Sequence, residues 1–289
     1  MKLFNYYRQD TGEVGLGAVT EEGHVLVTET AEKSGLEAPC CIEAAMKEDG
    51  FAELLAGILS DSAKAVTDED SIDFASPLLH PEKIICVGLN YRKHAEETHM
   101  PIPKVPIYFA KYSNALNCHK GEIPLRPVSV QYDYEAELTV VIGKECSEVS
   151  EEEALDYVFG YTCGNDFSCR DLQVVTSQWT ISKTMDGFAP IGPYVVTGDA
   201  IDAGNLRIAA WVNGEKRQDS NTNDLIFDVK CLISDLSRRL TLKPGDIIMT
   251  GTPSGVIMAY PPEERVWLKK GDVVDIEIEG IGKLTNVLA

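Results

Sequence analysis

Glu135, Glu137 and Asp166 are three carboxylates whose settings would let them share one cation. In Tyr132-Asp133-Tyr134-Glu135-Ala136-Glu137-Leu138-Thr139-Val140-Val141-Ile142, the two-residue period of a strand puts Glu135 and Glu137 on one face, about 7 Å apart. All-oxygen sites favour hard ions such as Mg²⁺, Mn²⁺ or Ca²⁺, which keep water or take substrate oxygens as further ligands. Asp166 follows a short apolar strand and a glycine in Phe159-Gly160-Tyr161-Thr162-Cys163-Gly164-Asn165-Asp166, a strand end that can display a carboxylate. The competing readings are an exposed acidic strand face for the glutamates and a turn or helix N-cap for Asp166. Asp171 is the less favoured ligand because Leu172 and Gln173 place it within a helical turn.

A base and a cation accompany these acids. His94 and Glu97 are i,i+3 neighbours if 91–100 is helical, so the carboxylate can orient the imidazole and raise its basicity for taking a proton from water. His99 is the second choice, and His24, His80 and His119 have no evident partner. Lys183 stands in a mostly uncharged stretch, where it would serve either a substrate anion or an ion pair with Asp186 or another acid. Met249-Thr250-Gly251-Thr252-Pro253-Ser254-Gly255-Val256 offers hydroxyls and backbone N–H groups in a turn suited to a carboxylate, or simply a turn with Pro253 fixing φ.

The whole chain sets the field these residues work in. Its 289 residues carry 26 Lys and Arg against 46 Asp and Glu, a formal charge of −20. That balance argues against nucleic acid and anionic membrane surfaces as partners, and a small anionic substrate needs local cations or a metal to reverse the sign. Eight cysteines without a C-x-x-C spacing read as reduced thiols. With no signal-peptide pattern and no long apolar run, the expected location is the cytoplasm.

The elements that must position these residues are mostly strands. The first 30 residues read as short strands with turns, 34–66 as helical, and 67–73 as an acidic linker. A boundary near Ser76 divides a small N-terminal α/β domain, 1–75, from a larger domain, 76–289. Strands are expected at 84–87, 107–109, 136–142, 192–196, 206–212, 246–250 and 273–278, and helices at 91–100, 151–158 and 226–240. The class is α+β, predominantly β, without the strand-helix alternation of a doubly wound sheet.

Gly88-Leu89-Asn90-Tyr91 with His94 and Glu97, the Glu135-Ala136-Glu137 strand, Gly164-Asn165-Asp166, Trp179 with Lys183, and Gly251-Thr252-Pro253 together resemble the fumarylacetoacetate hydrolase family in order and spacing. Leu89 departs from the arginine that many members carry there. The resemblance implies a mixed β-roll catalytic domain, usually a homodimer, holding Mg²⁺ or Mn²⁺ through Glu135, Glu137 and Asp166. His94 with Glu97 would be the water-activating dyad, Lys183 would contact substrate, and Arg170, Gln173 and Thr252 would lie near substrate or metal. The implied reaction is C–C cleavage of a small 2-oxo acid, with the metal accepting enolate charge. Hydrolysis of an acylpyruvate or fumarylpyruvate leads. Oxaloacetate decarboxylation and isomerisation or dehydration of a 2-oxo acid are the alternatives, and a metal-binding protein without catalysis stands last.

Overall fold

Every residue of Ala136–Ile142 is buried, so this strand needs cover on both faces. The computed structural model, which describes residues 1–289, supplies it from two cores. Ala136, Leu138, Val140 and Ile142 enter the larger core, shared with Ile208, Ala210, Val274, Ile276 and Leu284 of a second sheet. Val141 points the other way, onto Ile84, Cys86, Ile247 and Met249. Glu135 and Glu137 have the parity of Val141, at the opposite end of the strand.

The main sheet has ten strands, in the order Val66–Thr67, Gly23–Leu26, Val14–Thr20, Lys2–Tyr7, Val195–Thr197, Val158–Asn165, Ala136–Ile142, Ile247–Met249, Ile84–Gly88 and Ile107–Lys111. Its pairings are antiparallel except Ile247–Met249 with Ile84–Gly88. A five-stranded sheet, built around Arg207–Val212, Val273–Ile278 and Gly282–Leu288, covers one face of its middle. The fold is a predominantly β, mixed architecture, as the sequence implies. Residues 1–75 extend the main sheet, and helices Val27–Ser34, Ile42–Ala45 and Phe51–Leu59 pack into the core that holds Ile84 and Met249. No helix is long and apolar enough to cross a membrane.

Several elements differ from expectation for local reasons. Val27–Ser34 is a helix whose buried Val27, Thr30 and Ala31 have i, i+3, i+4 spacing, but its β-branched residues read as strand. The helix expected at 91–100 shortens to Arg92–Glu97, because His99 takes a left-handed φ of 55° ahead of Pro101. At 151–158 only a 3₁₀ turn, Ala154–Tyr157, forms: Ala154 is its one buried residue, too little apolar surface to hold a longer helix. The helix at 226–240 runs Val229–Ser237, with the Asp228 side chain accepting from the Cys231 N–H at 2.9 Å.

His119 does have a partner. Its Nδ1 accepts the Thr285 N–H at 3.1 Å, and its ring meets the Phe74 ring edge-on. Burial, then Lys120, lower its pKa to about 4. Between that value and the ordinary 6.5 the unfolded chain binds a proton that the folded chain refuses, so stability falls as pH drops through this window. Wild type should therefore lose on the order of 2 kcal/mol more than His119→Asn between pH 7 and pH 4.5 in urea unfolding. Parallel pH profiles for the two proteins would contradict this assignment.

Candidate active site

The three carboxylates meet because adjacent strands end together. Ala136 pairs with Asn165 and Glu137 with Gly164, so Asp166 emerges beside Glu135, and its N–H donates to Glu135 O at 3.0 Å. Asn165 Oδ1 accepts the Glu135 N–H at 2.9 Å, fixing the corner. One carboxylate oxygen from each of Glu135, Glu137 and Asp166 lies within 4.8 Å of the other two, and all three side chains are buried.

Charge there is balanced unevenly. Lys183 Nζ sits 2.6 Å from Glu135 Oε2 and 2.9 Å from Asp166 Oδ2. The pairing of Lys183 with Asp186 is absent, since Asp186 lies against Arg126 on the surface. Burial lowers the Lys183 pKa, but Asp166 and Glu135 outweigh it and raise the pKa overall. Burial likewise acts to raise Glu135, yet Lys183, Arg170 and His94 hold it well below the usual carboxylate range. Glu137 is the reverse: burial first, then Asp166 and Glu135, push it well above that range, against the Gly251 N–H at 2.9 Å from Oε2.

Lys111 is the charged neighbour that sequence reading passed over. Its Nζ lies 2.5 Å from Asp166 Oδ1, both side chains fully buried, and also donates to Phe188 O at 2.6 Å and Phe167 O at 3.2 Å. Oδ1 faces this cation as an ion pair and has no aligned hydrogen bond. Its one sequence signal is a lysine closing a strand, Ile107–Lys111, otherwise without charge.

Arg170, expected near substrate, commits three of its five N–H donors to the protein and borders the same cavity as His94 and Lys183. Nε donates to Asp133 Oδ2 at 2.8 Å, Nη2 to Glu135 Oε1 at 2.7 Å and Nη1 to Gln173 Oε1 at 2.9 Å. Asp133, also missed, further accepts the Ile257 and Met258 N–H groups, which anchors the chain after Gly255. Asp171 is structural, accepting from Ser129 Oγ and the Val130 N–H.

His94 Nδ1 lies 2.7 Å from Glu97 Oε1, and Glu97 Oε2 accepts the Gly255 N–H at 2.9 Å. The turn after Met249 therefore does bind carboxylates, but the chain's own: Gly251 holds Glu137 and Gly255 holds Glu97. Gly251 has φ 102°, and a Cβ there would come within 2.8 Å of Asn90 Cβ. The Asn90 side chain ties the dyad's loop to Thr250 O at 2.7 Å and Phe227 O at 3.0 Å. Thr252 Oγ1 accepts from Gln218 Nε2 at 2.9 Å.

A cavity of about 220 Å³ collects these groups. Glu135, Glu137, His94, Lys183, Gln173 and Thr252 line it, with Leu89, Phe109 and Trp179 as apolar wall. Gly88 leaves room for Trp179, whose ring would lie 2.3 Å from an added Cβ. Asp166 sits beneath, reached through Lys183, and His99 lines an adjoining chamber. A larger cavity of about 640 Å³, between 198–204 and 222–231, contains none of these residues.

Residues 83–289 match the model of the fumarylacetoacetate (FAA) hydrolase C-terminal domain. The chain belongs to the fumarylacetoacetate hydrolase family. Among its relatives, the mitochondrial oxaloacetate tautomerase fahd2 of Xenopus laevis is 38% identical over 290 residues, spanning 99% of this chain and 89% of that one. The solved fumarylacetoacetate hydrolase of Exiguobacterium antarcticum superposes with a TM-score of 0.84 at 32% identity, covering 100% and 99% of the two chains. The fumarylpyruvate hydrolase of Pseudomonas aeruginosa, solved with Mn²⁺ and pyruvate, gives a TM-score of 0.66 at 32% identity over 73% of this chain and 91% of that one. This family member is an enzyme, and its donor set, three buried carboxylates each offering one oxygen within 4.8 Å of the others, fits Mg²⁺ or Mn²⁺.

Removing Lys111 tests how the cluster's charge is held. Lys111→Met should lower stability by about 3 kcal/mol, because it takes from buried Asp166 one of its two cations and leaves the Phe167 and Phe188 carbonyls without their donor. Mg²⁺ should then raise the melting temperature of the variant more than that of wild type, since a bound cation replaces the lost charge. Equal Mg²⁺ shifts in the two proteins would contradict this account.

Proposed function

We propose that the enzyme interconverts the keto and enol forms of a small 2-oxo dicarboxylic acid, oxaloacetate being the first candidate. The observation that carries this is a buried imidazole oriented through Nδ1 by Glu97, lining the same small cavity as Lys183, Glu135 and Glu137. The tautomerase name of the Xenopus laevis relative, similar over nearly the whole chain, supports the choice of substrate.

Glu135, Glu137 and Asp166 would hold Mg²⁺ or Mn²⁺, which supplies positive charge for the oxygens of a 2-oxo acid. His94 does the proton transfer. With its Nδ1–H donating to Glu97, Nε2 carries the lone pair, takes a proton from C3 and returns it to the 2-oxo oxygen; the reverse reaction retraces this path. Lys183 has three N–H donors and uses two of them on Glu135 and Asp166, leaving one to stabilise negative charge on that oxygen. Phe109, Trp179 and Leu89 keep water from the reacting carbon, which strengthens each of these interactions.

Hydrolysis of an acylpyruvate is the second reading, favoured by the likeness to the fumarylpyruvate hydrolase and by the same dyad, which can take its proton from water instead. The two separate in one assay set. Loss of enol absorbance from oxaloacetate, followed with added Mg²⁺ or Mn²⁺, should be accelerated by wild type, while acetylpyruvate should be cleaved slowly or not at all. Glu137→Ala should abolish the metal-dependent rate. His94→Asn should lower kcat by about 10² or more at unchanged metal affinity. Wild-type turnover by either variant would sink the mechanism, and efficient acetylpyruvate cleavage without enol turnover would replace the first reading by the second.

A further inference from the structure

Away from the carboxylate cluster, a cavity of about 420 Å³ opens where the first strands, helix Val27–Ser34 and residues 67–73 meet. It shares no residue with the cavity that His94 and Lys183 line.

Two polar atoms at this cavity lack partners. Strands Lys2–Tyr7 and Gly23–Leu26 flank Val14–Thr20 in the sheet, and Tyr6 pairs with Gly15 on that middle strand. A Cβ at Gly15 would come within 2.6 Å of Tyr6 Oη, so the ring crosses the middle strand at a place that only glycine leaves open. The crossing carries the hydroxyl toward Leu26 and Glu29, which line the cavity with Tyr6. Tyr6 is 3% exposed, and its hydroxyl is buried with no hydrogen-bond partner in the protein. Glu29 Oε2 is buried and unpartnered in the same way. Each such group left unsatisfied costs about 1–3 kcal/mol, so two of them at one cavity call for an occupant that satisfies both.

The electrostatics select a cation. Asp10, Glu29 and Asp73 line the cavity, and no basic side chain does. Arg8 lies beside Glu29, but its hydrogen bonds go to Asp10 and Glu32, and its Nε stays 3.8 Å from Glu29 Oε1. Burial, the largest cause, raises the Glu29 pKa, as for a carboxylate short of a positive partner. The three acids do not bring one oxygen each within 4.8 Å of one another, as Glu135, Glu137 and Asp166 do. That spread is too wide for one hard metal ion, whose ligand oxygens lie about 2.0–2.6 Å from it. It suits a longer cation with charge at both ends.

We propose that this cavity binds a linear aliphatic diamine, with one ammonium on Glu29 and Tyr6 Oη at the floor and the other on Asp73 at the mouth. An ammonium has three N–H donors and no acceptor, which matches two oxygens that both lack a donor. Leu26 and Ile72 give the methylene chain an apolar wall, and the exposed Tyr7 ring at the rim suits a cation. Ile72 and Asp73 belong to the stretch between helix Phe51–Leu59 and strand Ile84–Gly88, so an occupant braces that stretch against the first strand and stabilises the fold.

Calorimetry and thermal melts with 1,4-diaminobutane and butylamine test this, since the two share a four-carbon chain and differ in the second ammonium. At about 0.15 M salt, which screens exposed charges, wild type should bind the diamine about tenfold tighter than butylamine and melt higher with it. Excess Mg²⁺ should leave that affinity unchanged. Glu29→Gln and Tyr6→Phe should each weaken diamine binding about tenfold, through loss of a charge-assisted hydrogen bond. Without diamine, Tyr6→Phe should melt at or above wild type, because the hydroxyl it removes has no partner in the protein; a lower melting temperature would give that hydroxyl a structural role and overturn the proposal. Glu263→Gln, at an exposed turn, should bind as wild type does. Equal affinity for the two amines, undiminished binding in Glu29→Gln or Tyr6→Phe, an equal loss in Glu263→Gln, or displacement of the diamine by Mg²⁺ would likewise overturn it.

Discussion

Repulsion among three buried carboxylates is the constraint on which this structure turns. Two unit charges 4.8 Å apart repel by roughly 3 kcal/mol even at the effective dielectric typical of protein sites, and Glu135, Glu137 and Asp166 present three such pairs. Without compensation they would protonate or force the strand ends apart. The protein compensates with buried cations: Lys111 on Asp166, Arg170 on Glu135, and Lys183 between the two. Glu137 receives only a backbone N–H and is the acid whose pKa rises. The cluster is thus left short of positive charge at Glu137, where a divalent cation would complete it.

That arrangement also accounts for the rigidity around it. Each compensating side chain is itself held: Lys111 by two carbonyls, Arg170 by Asp133, and Asp133 by the N–H groups of Ile257 and Met258. The turn after Met249 serves the cluster through Gly251 and the dyad through Gly255, so one short segment sets the position of the proton-transfer group relative to the carboxylates. Asn90 closes the loop from the other side. Small displacements at any of these points would reach both halves of the chemistry.

Much of this was legible in local sequence, and what was not has identifiable causes. The parity of Glu135 and Glu137 and the position of Asp166 at a strand end follow from periodicity, and their convergence from neighbouring strands in register. His94 and Glu97 are one helical turn apart and meet as spacing demands. Lys111, Asp133 and Gln218 were invisible because their partners lie 55, 37 and 34 residues or so away, and no local pattern marks a side chain for a distant ion pair. Glu215–Asn221 was missed because it is polar and half-exposed, although Asn213-Gly214 before it is a strong hairpin signal. The 1–75 segment reads as a separate unit from its helical spacing and the acidic linker that follows, and hydrogen bonding pairs Lys2 and Leu3 with Val196 and Val195, a pairing that only the folded sheet reveals.

The surplus of acid on the surface and the cluster of cations within are compatible because they act over different ranges. At physiological ionic strength exposed charges are screened beyond about 8 Å, so a net charge of −20 slows the approach of an anion but contributes little once it has entered a cavity. Inside, the identity of each cation's partner decides its use. Lys111, held by Asp166 and two carbonyls, and Arg170, with three of its five N–H donors on Asp133, Glu135 and Gln173, set the shape and charge of the metal-facing acids. Lys183 retains one donor beyond Glu135 and Asp166 at the cavity wall. Counting arginines and lysines in such a site therefore misstates its affinity for anions, which is governed by the donors that the protein's own carboxylates leave unused.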